Sequence, residues 1–133
     1  MQVTSTAISL NVADVEASAR FAVDHFGFIE AMSADGFVSL EHPSAAINVI
    51  FLRTGLETFR PPEVAGSAGQ GLLLVFVVDD LDDQFTRISA AGAQVATPPE
   101  TEPWGERYCQ FVDPNGLVWQ LVQWMVTPSP GTA

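Results

Sequence analysis

The chain has no lysine, one cysteine and two histidines among its 133 residues, and each shortage closes off a class of function. A lone Cys109 cannot form an internal disulfide, so the fold must rest on its core, and a reducing, cytoplasmic setting is expected. His25 and His42 are read as surface residues: His25 near the end of a helix, facing the helix dipole, and His42 in a loop beside Pro43. No stretch approaches the roughly 20 apolar residues of a membrane span. No basic start followed by an apolar block marks the N-terminus, so no secretory signal is expected. The patterns G-x-S-x-G, Walker loop and H-E-x-x-H are missing, which leaves serine hydrolysis, nucleotide hydrolysis and zinc proteolysis without support. Base is scarce as well. Five arginines face sixteen acids, for a formal charge of -11. Such a surface repels phosphate backbones and anionic lipid, so neither nucleic acid nor membrane is an expected partner. It attracts small cations, unless its acids serve only solubility.

What is present is a core. Apolar residues make up 47% of the chain, and its length is that of one ordinary domain. Residues Thr4 to Val12 alternate with period two and read as a strand. Asp14 follows as a helix N-cap, and Val15, Ala19, Ala22, Val23 and Phe26 recur at helical spacing up to a stop at Gly27. Phe28 to Met32, Phe37 to Leu40 and Ala46 to Leu52 then read as three short strands, the first two joined by an Asp35-Gly36 turn.

The order returns after a glycine- and proline-rich connection. Leu72 to Val78 is a continuous apolar run, read as a buried strand. Asp80, with Asp83 three residues on, caps a helix whose inner stripe is Leu81, Phe85 and Ile88, and Gly92 ends it. Ala93 to Ala96 resumes as strand, Pro98 to Pro103 reads as loop, and Arg107 to Val112 as strand. Asp113-Pro114-Asn115-Gly116 is a type I turn signal, and Leu117 to Trp124 closes the chain's ordered part. The expected organisation is α+β. It has a first βαβββ module over 1–53, a linker over 54–70, a second βαβββ module over 71–126 and a disordered tail over 127–133. One helix covers one face of each sheet; the other face must pair with something or hold a ligand.

The doubled βαβββ order, the junctions SLNVADVEASARF and VFVVDDLDDQF, and the closing FVDPNGLVWQLVQW resemble the vicinal-oxygen-chelate superfamily. That group takes in glyoxalase I, extradiol dioxygenases, fosfomycin-resistance enzymes and bleomycin-resistance proteins. The resemblance covers about residues 4 to 125. It implies a curved mixed sheet with a concave groove, and a homodimer. In metal-dependent members a ligand, often histidine, stands seven residues before the capping aspartate of each module; here those positions hold Ala7 and Leu73. A glutamate on the last strand is replaced by Gln120, and the matching strand of the first module offers only Asn48. Methyl and isobutyl groups have no lone pair for a metal, and an amide oxygen is a poor substitute for a carboxylate. No metal or other cofactor is therefore expected. The metal-free antibiotic-binding members are the closer analogy.

Those members carry a Trp-Gly-x-Arg-Tyr stretch like Trp104 to Tyr108 here. Trp104 would stack on a planar ligand or else fold onto its own domain. If Gln120 faces the groove, Val118, Val122 and Trp124 share its side, while Trp119 and Leu121 face the helix. Trp124 would then wall the groove or meet a second copy. Phe37 and Phe51 would form the opposite wall or pack in the core, and Arg107 would pair with a ligand carboxylate or a surface acid. Cys109, mid-strand, reads as a buried structural thiol. Three functions follow: a metal-free receptor for an aromatic or cationic compound, serving sequestration or carriage; a metal-dependent lyase, isomerase or dioxygenase with atypical ligands; or a structural interaction module.

Overall fold

A computed structural model describes residues 1–68 and 70–125. It is an α+β structure of two units, Met1–Gln70 and Gly71–Ala133, each with one four-stranded mixed sheet and one helix. The first unit runs β1 (Ala7–Val12), α1 (Val15–Phe26), β2 (Ile29–Ala34), β3 (Phe37–Glu41), β4 (Asn48–Arg53). Its strands lie in the order β1-β4-β3-β2, with β1 parallel to β4 and the other pairs antiparallel.

Local chemistry sets the ends of α1. The Asp14 carboxylate accepts from Ala17 N at 3.2 Å, and Gly27 closes the helix at φ 74°, a conformation that costs other residues a Cβ clash. The buried stripe is Val15, Ser18, Ala19, Phe21, Ala22 and Phe26. Val23, expected to join it, is 41% exposed. Register lines up Leu10, Phe51 and Val38 across three strands, all buried, on the face α1 covers. Phe51, expected as a candidate groove wall, is fully buried there and belongs to the core.

His42 is more than a surface residue. Its Nε2 donates to the Phe26 carbonyl at 2.7 Å, and its Nδ1 accepts from Ser44 N and Ala45 N. The one ring thus ties the end of α1 to the loop before β4. The described part of the connection, residues 54–68, is folded onto the first unit. It carries one 3-10 turn, Pro62–Val64, and Asn11 Nδ2 donates to the Val64 carbonyl at 3.1 Å while Ala68 N donates to the Asn11 carbonyl at 2.8 Å.

The second unit runs β5 (Leu73–Val77), α2 (Leu81–Ala90), β6 (Gln94–Thr101), β7 (Glu106–Val112), β8 (Val118–Trp124). The strand order is β5-β8-β7-β6, with β5 parallel to β8. Three expectations fail here, each for a physical reason. The apolar run of β5 is an edge strand buried on one face only, for Leu73, Val75 and Val77 are exposed while Leu74 is buried. The segment read as a loop from Pro98 is part of β6, which extends to Thr101. An edge strand tolerates Pro98 and Pro99, and its register shifts between Val95 and Thr97 and again between Thr97 and Glu100. Asp80 makes no side-chain cap on α2. Its carboxylate accepts from Gln84 Nε2 instead, and Gln123 on β8 supplies the cap, its Oε1 accepting from Leu81 N at 3.0 Å. The expected tail at 127–133 lies outside the described residues. Among the described residues, no helix is long and apolar enough to cross a membrane.

Candidate functional site

Each sheet has one face covered by its helix and one open face, and the candidates sort by strand parity. In the second unit, Trp119 stacks on Phe76 with ring centroids 5.9 Å apart and is fully buried, so odd positions of β8 face α2. Gln120, Val122 and Trp124 therefore point to the face that α2 does not cover, where Val122 (1% exposed) and Gln120 are buried and Trp124 is exposed, with Val75 of β5 and Gln110 of β7 flanking Gln120 in register.

A directed chain of hydrogen bonds crosses that face. Thr97 Oγ1 donates to Gln110 Oε1 at 2.8 Å, and Gln110 Nε2 donates to Gln120 Oε1 at 2.7 Å. The Gln120 oxygen is thereby engaged, and its Nε2 has no hydrogen-bond partner among the described residues, although the residue is only 8% exposed. What Gln120 presents is an N–H donor.

At one end of the same sheet, aromatic rings meet carboxylates. Glu106 stands directly opposite Trp124 in the β7–β8 register, and Trp104 Nε1 donates to Glu106 Oε1 at 3.2 Å. Trp104 is 61% exposed and Trp124 39%. Tyr108, on the same face of β7 as Glu106 and Gln110, donates its hydroxyl to Glu100 Oε2 at 3.1 Å. That bond, together with desolvation and the nearby Glu102, pushes the phenol from 10.0 up to about 12. The neutral phenol's contribution to stability is complete below its unfolded value near 10 and vanishes as pH rises through about 12. Tyr108 is the chain's one tyrosine, so a spectrophotometric titration reads it alone. The midpoint is expected near 12, and Glu100→Gln is expected to move it down toward the free-phenol value; a wild-type midpoint at the free value would contradict the bond.

The remaining candidates lie elsewhere. Arg107 points to the α2 side, its guanidinium on Asp82 at 2.7 and 3.0 Å and on Thr101 Oγ1 at 2.9 Å. This pair holds the Asp82 carboxyl below its ordinary range. Asn48 sits beside Ala7 on the open face of the first sheet, and Phe37 lies opposite Leu52 on that same face; both are half-buried. Cys109 is buried, and loss of hydration pushes its thiol from 9.0 up to about 11. Alkylation by iodoacetamide at neutral pH is accordingly expected to be slow in the folded protein and fast in urea, and equal rates would contradict it.

The residues at the superfamily-type metal positions do not fit an ion. Ala7 and Leu73 offer hydrocarbon, Asn48 a half-buried amide, and Gln120 a neutral amide whose oxygen already accepts from Gln110. Among the described residues, no three His, Cys, Asp or Glu side chains gather into a cluster that could hold one.

Sequence reading named Gln120, Trp104 and Trp124 as candidates and did not name Thr97, Gln110, Tyr108, Glu100 and Glu106, which build their surroundings. Period two along β7 would have grouped Glu106, Tyr108 and Gln110. Only the register across β6 and β7 shows what they meet.

The profile of the glyoxalase/bleomycin resistance protein/dioxygenase superfamily matches residues 4–121. Mb0911c of Mycobacterium bovis, an uncharacterized protein, is 40% identical over 55 residues, covering 41% of this chain. The match spans about a third of that relative, 36% of its length. A glyoxalase/bleomycin resistance protein/dioxygenase from Nocardioides superimposes with a TM-score of 0.80 at 25% identity, over 100% of this chain and 91% of the other. TnmS3 from Streptomyces sp. CB03234, described as an antibiotic-binding protein, gives a TM-score of 0.69 at 24% identity over 92% and 96%.

Proposed function

We propose, for a chain that belongs to the glyoxalase/bleomycin resistance protein/dioxygenase superfamily, that it is a metal-free receptor for a small planar, cationic organic molecule. The molecule lies on the open face of the second sheet. The observation that carries this reading is the state of Gln120. Its oxygen accepts from Gln110 at 2.7 Å, so the group turned outward is an N–H, which a metal cannot use and a ligand oxygen or ring nitrogen can. The exposed indoles of Trp104 and Trp124 supply flat apolar faces, and Glu106 beside them supplies the negative charge that a cation over an indole prefers. A formal charge of -11 draws such a cation in. TnmS3, whose fold is shared, binds an antibiotic; sequestration or carriage of such a compound is the physiological role this reading gives the chain. The lone, buried Cys109 suits a reducing cytoplasm. Homodimerisation belongs to the same reading, since Leu73, Val75 and Val77 leave an apolar strip at a free sheet edge.

Titration with proflavine, a planar acridine cation, tests the reading through tryptophan emission. Trp119 is fully buried, so Trp104 and Trp124 are the indoles a surface ligand reaches. Saturable quenching is expected, with most of its amplitude lost in Trp104→Phe and affinity reduced roughly tenfold in Gln120→Leu. Quenching that never saturates, or that both variants leave unchanged, would overturn the site.

A further inference from the structure

Thr101 of β6, Arg107 of β7 and Gln123 of β8 stand opposite one another on one line across three strands. The next line out is Glu106 opposite Trp124, and Trp104 sits in the turn that leads into Glu106. Resting on the reading of this sheet end as a guest site, we propose that Arg107 and Gln123 are its positioning residues. They clasp the sheet end to the start of α2, so that Trp104, Glu106 and Trp124 are arranged before a guest arrives.

The two side chains lie on the face that α2 covers and hold the start of that helix at three residues. Gln123 Oε1 accepts from Leu81 N at 3.0 Å, and its Nε2 donates to the Asp79 carbonyl at 3.0 Å. The Arg107 guanidinium donates to both Asp82 oxygens at 2.7 and 3.0 Å, and Nη1 donates to Thr101 Oγ1 at 2.9 Å. One planar fork thus joins β6, β7 and α2, which a single ammonium in its place could not do. The clasp sits where the sheet needs it. Glu106 opposite Trp124 ends the β7–β8 pairing, and strand ends open most readily. Past that line the Gly105 amide donates to the Glu102 carbonyl at 2.9 Å and the Met125 amide to the Gly105 carbonyl at 2.8 Å. Burial adds little there, for Trp104 is 61% exposed and Trp124 39%. The ion pair is itself too exposed to matter much to global stability, with side chains 24% and 60% accessible. Its effect falls on local order, because a guest that meets indoles already in place is spared the cost of ordering them.

Charge separates positioning from simple attraction. Arg107 is the chain neighbour of Glu106, so its guanidinium opposes a cationic guest, and deleting it would by charge alone tighten binding. Positioning predicts the opposite sign. Gln123 is neutral, so its removal leaves the field at the site unchanged.

The experiment pairs proflavine quenching with ¹⁹F NMR of the 5-fluorotryptophan-labelled full chain, in wild type, Arg107→Met and Gln123→Leu. Each variant is expected to weaken binding roughly three- to tenfold. Arg107→Lys keeps the charge but not the fork and is expected to weaken it as well. Gln123→Glu keeps the acceptor for Leu81 N, loses the donor to Asp79, and is expected to fall between wild type and Gln123→Leu; it carries the test should Gln123→Leu not fold. The chain has three tryptophans, so without any guest the resonances of Trp104 and Trp124 are expected to shift and broaden in the variants while buried Trp119 stays in place. Tighter proflavine binding in Arg107→Met, or Trp104 and Trp124 resonances unmoved in both variants, would overturn the proposal. So would a Trp119 shift as large as theirs, the mark of a unit loosened as a whole. Wild-type protein that never saturates with proflavine would sink the receptor reading instead, and the fluorine spectra would then decide alone whether the clasp orders the indoles.

Discussion

Asp113→Ala is expected to lower the unfolding free energy by about 3–5 kcal/mol, a large fraction of a small protein's total. The carboxylate is 3% exposed and organises the turn before β8. Its Oδ1 accepts from Asn115 N at 2.9 Å and Leu117 N at 3.0 Å, and its Oδ2 accepts from the Trp119 indole at 3.2 Å. Alanine would leave the Leu117 amide and the Trp119 indole N–H buried without acceptors, and each such orphan costs about 1–3 kcal/mol. The turn would also lose what fixes Trp119 against Phe76. Urea denaturation read by far-UV circular dichroism measures the loss. Asp113→Asn keeps one acceptor oxygen and is expected to lose about half as much. A loss below about 1 kcal/mol in Asp113→Ala would show that water replaces the carboxylate and that the turn is not its work.

Phe51→Ala is expected to cost a similar 3–5 kcal/mol, in the first unit. Phe51 has no exposed surface and is flanked in register by Leu10 and Val38, themselves buried beneath α1. Removing the ring opens a cavity that the backbone of a central strand cannot collapse around. Chemical denaturation measures the cost, while proflavine affinity is expected to hold in any buffer where the variant stays folded. A loss below about 1 kcal/mol would return Phe51 to the role of a surface wall.

The element order was legible because its signals are local. The switch from period two to helical spacing, Asp14 before α1 and Gly27 after it act within a few residues of themselves. The failures are non-local. Whether the Leu72–Val78 run is buried on both faces depends on its place in the sheet order, and the order puts β5 at an edge. Whether Pro98 and Pro99 can sit in a strand depends on the same thing for β6. Gln123 caps α2 from 42 residues away, a distance no capping pattern spans. For the site, parity along β8 sorted Gln120 and Trp124 from Trp119 correctly, since alternation is a property of one strand. The same rule bears on Phe51 and Asn48: three residues apart in β4, they cannot share a face. Arg107 faces α2 because Gln123, its cross-strand partner, does; register supplied that, not composition. Thr97 reaches Gln110 only through the irregular pairing of β6, which the sequence does not spell out.

On the proposed function, the open face of the second sheet takes an organic guest and not a coordinated ion. Equilibrium dialysis of the purified chain against Mn²⁺, Ni²⁺ and Zn²⁺, with bound metal counted by mass spectrometry, tests it most directly. The expected result is no stoichiometric ion at micromolar free metal, in wild type and Gln120→Ala alike. One tightly held ion per chain, lost in Gln120→Ala, would contradict the account.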